Sequence, residues 1–125
     1  MIENQHHVSL PIAKQLAEAG IVIESEYYWH THDGKNWVCD WRNFDHRTVP
    51  AEFQVFPAPI ATELLERLPD GCRYGVNLVK LMSGYGAELT DYTQMPYKRL
   101  EFIQDKNPCN ALALLALKLK ADNLI

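Results

Sequence analysis

The chain has 125 residues, of which 47% are hydrophobic and 22% are charged, a balance typical of one globular domain. This composition excludes a wholly disordered chain, because disordered segments combine low hydrophobicity with high net charge. The formal net charge of −4 disfavours a dedicated nucleic-acid binder, since binding to phosphates draws on a basic surface. No apolar run approaches the roughly 18 residues of a membrane span, so we expect no membrane partner.

The cysteines and the first residues predict the compartment. Cys39, Cys72 and Cys109 are far apart and form no Cys-x-x-Cys pair, which predicts reduced thiols in a cytoplasmic protein. The first residues lack the basic and apolar regions of a secretory signal. We interpret residues 1–8 as a flexible arm and residues 9–125 as a single α+β domain.

The first part of the domain predicts one helix and one hairpin. A helix is predicted over about 10–19. A capping serine and a proline in the first turn mark its start, and a following glycine marks its end. The β-branched run at 21–23 indicates a strand or an extended link. Residues 26–41 predict a β-hairpin, because aromatic strand formers flank the turn sequence Asp33-Gly34.

The faces of this hairpin depend on the length of its turn. If Asp33 and Gly34 form the whole turn, His30 pairs with Trp37. One face then carries Tyr27, Trp29, Thr31, Val38 and Asp40. The other face carries Tyr28, His30, His32, Lys35, Trp37, Cys39 and Trp41. A slip of one residue exchanges the faces, so the sequence leaves open which face is buried.

The remaining chain predicts a short strand at 53–56, a helix over about 60–68, a three-strand meander between 74 and 103, and a last helix. Asn107 and Pro108 suit the cap and first position of that last helix, and Ala and Leu dominate its later turns. We expect an α+β fold with an antiparallel sheet of about five to six strands, formed by the hairpin and the meander. About three helices pack on it, in the order α-β-β-(β)-α-β-β-β-α.

The last helix has two apolar sides, whereas a surface helix on a sheet needs only one. One side carries Leu112, Leu115, Ala116 and Leu119. The opposite side includes Leu114, Leu117 and Ala121. Either a neighbouring helix of the same chain covers this second side, or it is a surface for self-association or for a partner protein.

Several segments together resemble a known set of proteins. They are Tyr27-Tyr28-Trp29, Ala58-Pro59 before Glu63-Leu64-Leu65 and Leu68-Pro69, and Asn107-Pro108 before Ala111-Leu112 and the ending Asn123-Leu124-Ile125. Over roughly residues 10–125 this pattern resembles small phage- and prophage-encoded hypothetical proteins. The resemblance implies a bacterial or phage origin and a bacterial host cell, and it carries over no functional residue. The chain departs at Ile60, where such proteins tend to carry Thr, so a possible N-cap side chain is missing.

The most suggestive chemical pattern is His30-Thr31-His32-Asp33. Histidines two apart on a strand share a face, and zinc accepts nitrogen and sulfur ligands. The candidate ligands are His30, His32, Cys39 and His46. The alternative is structural: Asp33 serves the turn, and both histidines are ordinary polar residues on a half-exposed strand.

A second pattern combines tryptophans with basic residues. Trp37 and Trp41 share a predicted face with Lys35. Exposed indoles beside cations can stack on the bases of single-stranded nucleic acid, and they can also contact a partner protein. Cross-strand packing is the structural alternative.

No paired carboxylates, serine elbow or phosphate-binding loop occurs in the sequence, so no catalytic residue or cofactor is named. The leading hypothesis is therefore a small non-enzymatic, phage-related accessory protein. It would act through contacts with an unknown protein partner or with itself, for example as a homodimer. The alternatives are a metal-dependent enzyme at the first hairpin and a nucleic-acid binder at Trp37 and Trp41.

Overall fold

Helices and strands follow one another in the predicted order. The structure is a computed structural model that describes residues 7–41, 55–68 and 73–125. It confirms the α+β class and the three helices. The elements are α1 (Leu10–Glu18), β1 (Tyr27–Thr31), β2 (Trp37–Trp41), β3 (Phe56–Pro57), α2 (Ala61–Arg67), β4 (Tyr74–Leu81), β5 (Gly84–Asp91), β6 (Lys98–Asp105) and α3 (Pro108–Ala121).

The strands form two antiparallel three-stranded sheets, with the orders β2-β1-β3 and β4-β5-β6. The expected single sheet of five to six strands is therefore not confirmed. The hairpin β1–β2 is extended by β3 instead, which pairs with β1 through Tyr28 and Trp29. Strand patterning fixes which side chains share a face, but it does not specify which strands become neighbours.

Helix α3 lies at the centre of the core. It packs against β5 and β6 of the second sheet and also against α1 and α2. Its side chains are consequently buried on most of its circumference, from Cys109 to Ala113 and again at Leu115, Ala116 and Leu119. The first apolar side is thus buried within the chain, and Leu117 of the second side packs against the core, whereas Ala121 is exposed. Within the described ranges, no helix is long and apolar enough to cross a membrane.

Both later helices begin at defined polar contacts. The Asn107 side chain accepts hydrogen bonds from the backbone amides of Cys109 and Asn110, which is the predicted N-cap of α3. Ile60 precedes α2 and has no side-chain acceptor. Glu63 compensates, because its carboxylate accepts the Ile60 amide at 2.9 Å. Half of a capping box therefore holds α2 in place.

The N-terminal segment belongs to the core from an earlier residue than the sequence predicts. His7 and Val8, the last two residues of the expected arm, are buried. The Val8 amide donates to the Pro59 carbonyl at 3.1 Å, and the Asn107 amide group donates to the His7 carbonyl at 2.9 Å. Residues 1–6 of that arm lie outside the described residues.

Two other expected elements differ in detail. The run at 21–23 is an extended link that joins neither sheet. The short strand expected at 53–56 appears as β3, of which residues 53 and 54 lie outside the described residues.

Candidate functional site

The first hairpin has a longer turn than the Asp-Gly signal suggests. His30 pairs with Val38 and Thr31 with Trp37, so five residues, 32–36, connect the strands. This register is shifted by one residue from the two-residue turn. Consequently β2 exchanges its faces: Trp37 and Cys39 join Trp29, whereas Val38 and Asp40 join His30.

The side chain of Asp33 holds this longer loop together. Its Oδ1 accepts the backbone amides of Lys35 and Asn36, each at 2.8 Å. Hydrogen bonds from the Asn36 and Lys35 amides hold the pKa of the Asp33 carboxyl well below its usual range. The Thr31 hydroxyl closes the base of the loop by donating to the Asn36 carbonyl at 2.8 Å. Asp33 therefore serves the turn, as the structural alternative predicted.

Among the described candidate ligands, Cys39 is not brought together with His30 and His32. Cys39 lies on the opposite face of the hairpin from His30. Burial, and then the charge of Asp40, raise the pKa of the Cys39 thiol to about 12, which disfavours the thiolate that binds metals. His46 lies outside the described residues. In the described part of the chain, no group of three or more His, Cys, Asp or Glu side chains is placed to hold a metal ion.

His30 instead belongs to a polar cluster on its own face. Its Nε2 lies 2.7 Å from Asp40 Oδ2, and its ring meets His32 edge to face at 5.4 Å. His30 is buried, His32 is exposed and Asp40 is half-buried. The Asp40 carboxylate orients the His30 ring, and this contact joins β1 to β2.

The opposite face of the hairpin is aromatic. Trp29 lies opposite Cys39 and diagonal to Trp37, and Phe56 of β3 lies opposite Trp29 on its other side. The rings of Trp37 and Phe56 are 5.8 Å apart. Diagonal and opposite neighbours on one face are within reach for such large rings. The register shift therefore gathers two tryptophans that the sequence analysis placed on opposite faces.

The N-terminal segment partly covers this aromatic face. The Trp29 indole donates a hydrogen bond to the Val8 carbonyl at 3.0 Å. The same carbonyl accepts a second hydrogen bond, from Nδ1 of His7, at 2.9 Å. The His7 ring also meets the Trp29 ring edge to face at 5.4 Å. Asn110 receives the Ser9 amide at 2.9 Å. These contacts fix the segment between the hairpin and α3.

The uncovered part of this face is a cleft of about 420 Å³, named here the aromatic cleft. Its walls are the two indoles of β1 and β2 and the start of α1. Lys14 of α1 places its ammonium 4.9 Å from the centroid of the Trp37 ring, and Lys35 stands exposed at the hairpin end. The lining residues are His7, Ser9, Leu10, Pro11, Trp29, Lys35 and Trp37.

Of the predicted interaction residues, Trp37 is the one that the structure places in this cleft. The Trp41 side chain lies outside the described part of the chain. On α3, Leu114 and Leu117 are half-buried, Leu117 packs against the core, and Ala121 is exposed. His7 and Lys14 could not be assigned to this face from the sequence, because neither shows a local pattern that joins it to the hairpin.

Comparisons with known proteins add no relative. No protein-family model, no curated protein and no solved structure matches the chain. The phage or prophage origin implied by the resemblance therefore stays a prediction.

Proposed function

We propose that the protein acts by binding a partner protein, and that the aromatic cleft is the contact surface. The observation that carries this proposal is the meeting of Trp29, Trp37 and Lys35 around one concave surface. The Lys14 ammonium lies beside it, 4.9 Å from the centroid of the Trp37 ring. Tryptophan is among the residue types that contribute most to binding energy at protein interfaces, and the lysines supply charge for steering a partner. The walls are also held in place, because each indole packs against another ring.

The cleft chemistry specifies the kind of segment that it would take. Aromatic walls with a proline and a leucine at the rim favour an extended, proline-containing segment, since such segments dock in aromatic-lined grooves. Lys14 and Lys35 favour acidic side chains beside the prolines, because they stand at the edge of the cleft, where opposite charges steer association. The expected ligand is therefore an acidic, proline-containing stretch of a partner protein.

The rival functions have weaker support. The metal-dependent reaction requires ligands that the hairpin register separates. Binding of single-stranded nucleic acid would use the same Trp37 and lysines, but the net charge of −4 opposes attraction to a polyphosphate. The phage-related role of the partner rests on the sequence resemblance alone.

Calorimetric titration with a short synthetic peptide of prolines flanked by aspartates tests the proposal. Trp37→Ala should weaken binding by about 2 kcal/mol, roughly thirtyfold, because it removes one wall of the cleft. Tyr97→Ala is the matched control, since Tyr97 is an exposed aromatic residue that lies far along the chain, just before β6. Lys14→Gln and Lys35→Gln together should weaken binding and reduce its dependence on salt.

The same titration with oligothymidylate distinguishes the rival. Binding of the oligonucleotide in place of the acidic peptide, with loss on Trp37→Ala, would replace our proposal by the nucleic-acid function. Equal effects of the Trp37 and Tyr97 substitutions would show that the aromatic cleft is not the contact surface.

A further inference from the structure

A second groove borders helix α1 and the extended link that comes after it. An apolar slot of about 250 Å³ is lined by side chains such as Leu16, Ile23 and Pro59. It adjoins a larger cavity of about 570 Å³, and the two share Val22 and Ile23. We name the two together the acidic–apolar groove. Helix α1 contributes to both sites, but the groove and the aromatic cleft share no lining residue.

The charge of the larger cavity is strongly one-sided. Its lining includes four carboxylates, from Glu24, Glu26, Glu63 and Glu66, and one guanidinium, from Arg67. Glu24 and Glu66 are exposed. An apolar slot beside several negative charges is complementary to a segment that carries apolar and basic side chains.

Glu63 gives this wall a fixed geometry. Its carboxylate accepts the Ser25 hydroxyl at 2.8 Å and the Glu26 amide at 3.0 Å, in addition to the Ile60 amide. These bonds join the extended link to α2, so the two sides of the cavity are held together. The Glu63 carboxylate is engaged in these internal hydrogen bonds. Glu24 and Glu66 are therefore the carboxylates that we expect to contact a ligand.

The backbone of the link offers further contacts. Residues 22–24 are extended and lie outside both sheets. Among the described residues, Val22, Ile23 and Glu24 form no backbone–backbone hydrogen bond, and the Val22 side chain is 70% exposed. The Val22 carbonyl accepts a hydrogen bond from the Arg67 guanidinium at 3.4 Å. An extended peptide can add as a strand along the rest of the segment, because its main chain can pair with the backbone of Ile23 and Glu24.

We propose that the acidic–apolar groove binds an extended segment of a partner protein in which apolar and basic residues alternate. An apolar side chain of that segment enters the slot beside Val22. Lysine or arginine side chains contact Glu24 and Glu66, and the peptide backbone runs along residues 22–24. The chemistry is opposite to that of the aromatic cleft, so the two surfaces select different ligands.

Calorimetric titration with a short peptide of alternating lysine and leucine tests this proposal. Peptides of alternating glutamate and leucine, and of alternating lysine and serine, serve as ligand controls. Binding of the lysine–leucine peptide alone is expected, with an affinity that falls as salt rises. Glu24→Gln combined with Glu66→Gln should weaken binding about three- to tenfold, the range for two exposed ion pairs.

Val22→Ser tests the apolar contact and should weaken binding about tenfold, because the apolar wall of the slot is lost. Val38→Ser is the matched control, since Val38 is also an exposed valine and lies on the hairpin. Equal binding of the lysine and glutamate peptides would overturn the proposal, and so would equal effects of the two valine substitutions. Self-association of the protein that Val22→Ser abolishes would also overturn it, by making a second copy the occupant.

Discussion

Asn107 joins helix α3 to the N-terminal segment and provides the sharpest test of the fold. It is buried, and its Oδ1 accepts the amides of Cys109 at 2.8 Å and Asn110 at 3.3 Å. Its Nδ2 donates to the His7 carbonyl at 2.9 Å. One side chain therefore caps α3 and also fixes the N-terminal segment that forms a wall of the aromatic cleft.

The two roles can be separated by two substitutions. Asn107→Ala removes both, so it should cost about 1 kcal/mol for the cap and about 1–3 kcal/mol for the His7 carbonyl left buried without its donor. Asn107→Ser retains a capping hydroxyl but is too short to reach His7. It should therefore cost about 1 kcal/mol less than the alanine variant.

Urea unfolding followed by far-ultraviolet circular dichroism gives the free energy of unfolding of each variant. Hydrogen exchange at the amide of Val8 reports the N-terminal segment separately, and it should accelerate in both variants. If alanine and serine are equally stable, the cap contributes nothing measurable. If Val8 exchange is unchanged in both, the bond to His7 does not hold the segment.

Three further outcomes are expected. Gly84→Ala should destabilise the protein by about 1–3 kcal/mol in thermal unfolding, because Gly84 has φ 149° and an added Cβ would lie 2.8 Å from a backbone oxygen. In a Cys72→Ser protein, the two remaining thiols should react with iodoacetamide at pH 8 more than about a hundredfold more slowly than free cysteine, because burial raises the pKa of Cys39 to about 12 and that of Cys109 to about 11. The lowered pKa of Asp33 stabilises the fold above its unfolded pKa of about 3.9, and this contribution is lost as the pH falls through the lower folded value. The urea midpoints of the protein and of Asp33→Asn should therefore differ at pH 7, and the difference should shrink progressively as the pH falls below about 4.

For each of these three predictions, one experimental result would contradict the reasoning. A Gly84→Ala protein as stable as the parent would show that the second sheet accommodates the side chain. Alkylation of the folded and urea-unfolded protein at equal rates would contradict buried thiols. A difference for Asp33→Asn that grows toward low pH would reverse the sign derived from its hydrogen bonds.

The order of helices and strands could be predicted because local signals mark most boundaries. Pro11 and Gly20 bracket α1, and Asn107 with Pro108 starts α3. These residues act through their own backbone and neighbours, so the sequence contains their effect. The separation into two sheets depends on pairing between distant strands, and no local residue encodes it.

The candidate site could not be predicted from the sequence, because it also depends on which residues become neighbours across strands. The sequence Asp33-Gly34 is typical of a two-residue turn, but the Asp33 carboxylate binds amides two and three residues ahead and stabilises a five-residue loop. One side-chain hydrogen-bond pattern thus decided which face Trp37 occupies. The sequence analysis identified Trp37 and its lysine neighbour as candidates, whereas the partner indole of Trp29 emerged from the register.

The central place of α3 has a consequence for synthesis. It supplies more of the buried apolar core than any other described element, and it comes after every described strand in the chain. A ribosome must therefore complete residues 108–121 before Ala87 and Leu89 of β5 can be covered. Until then the nascent sheet exposes an apolar face, so messages truncated before this helix should yield polypeptides that aggregate or are degraded.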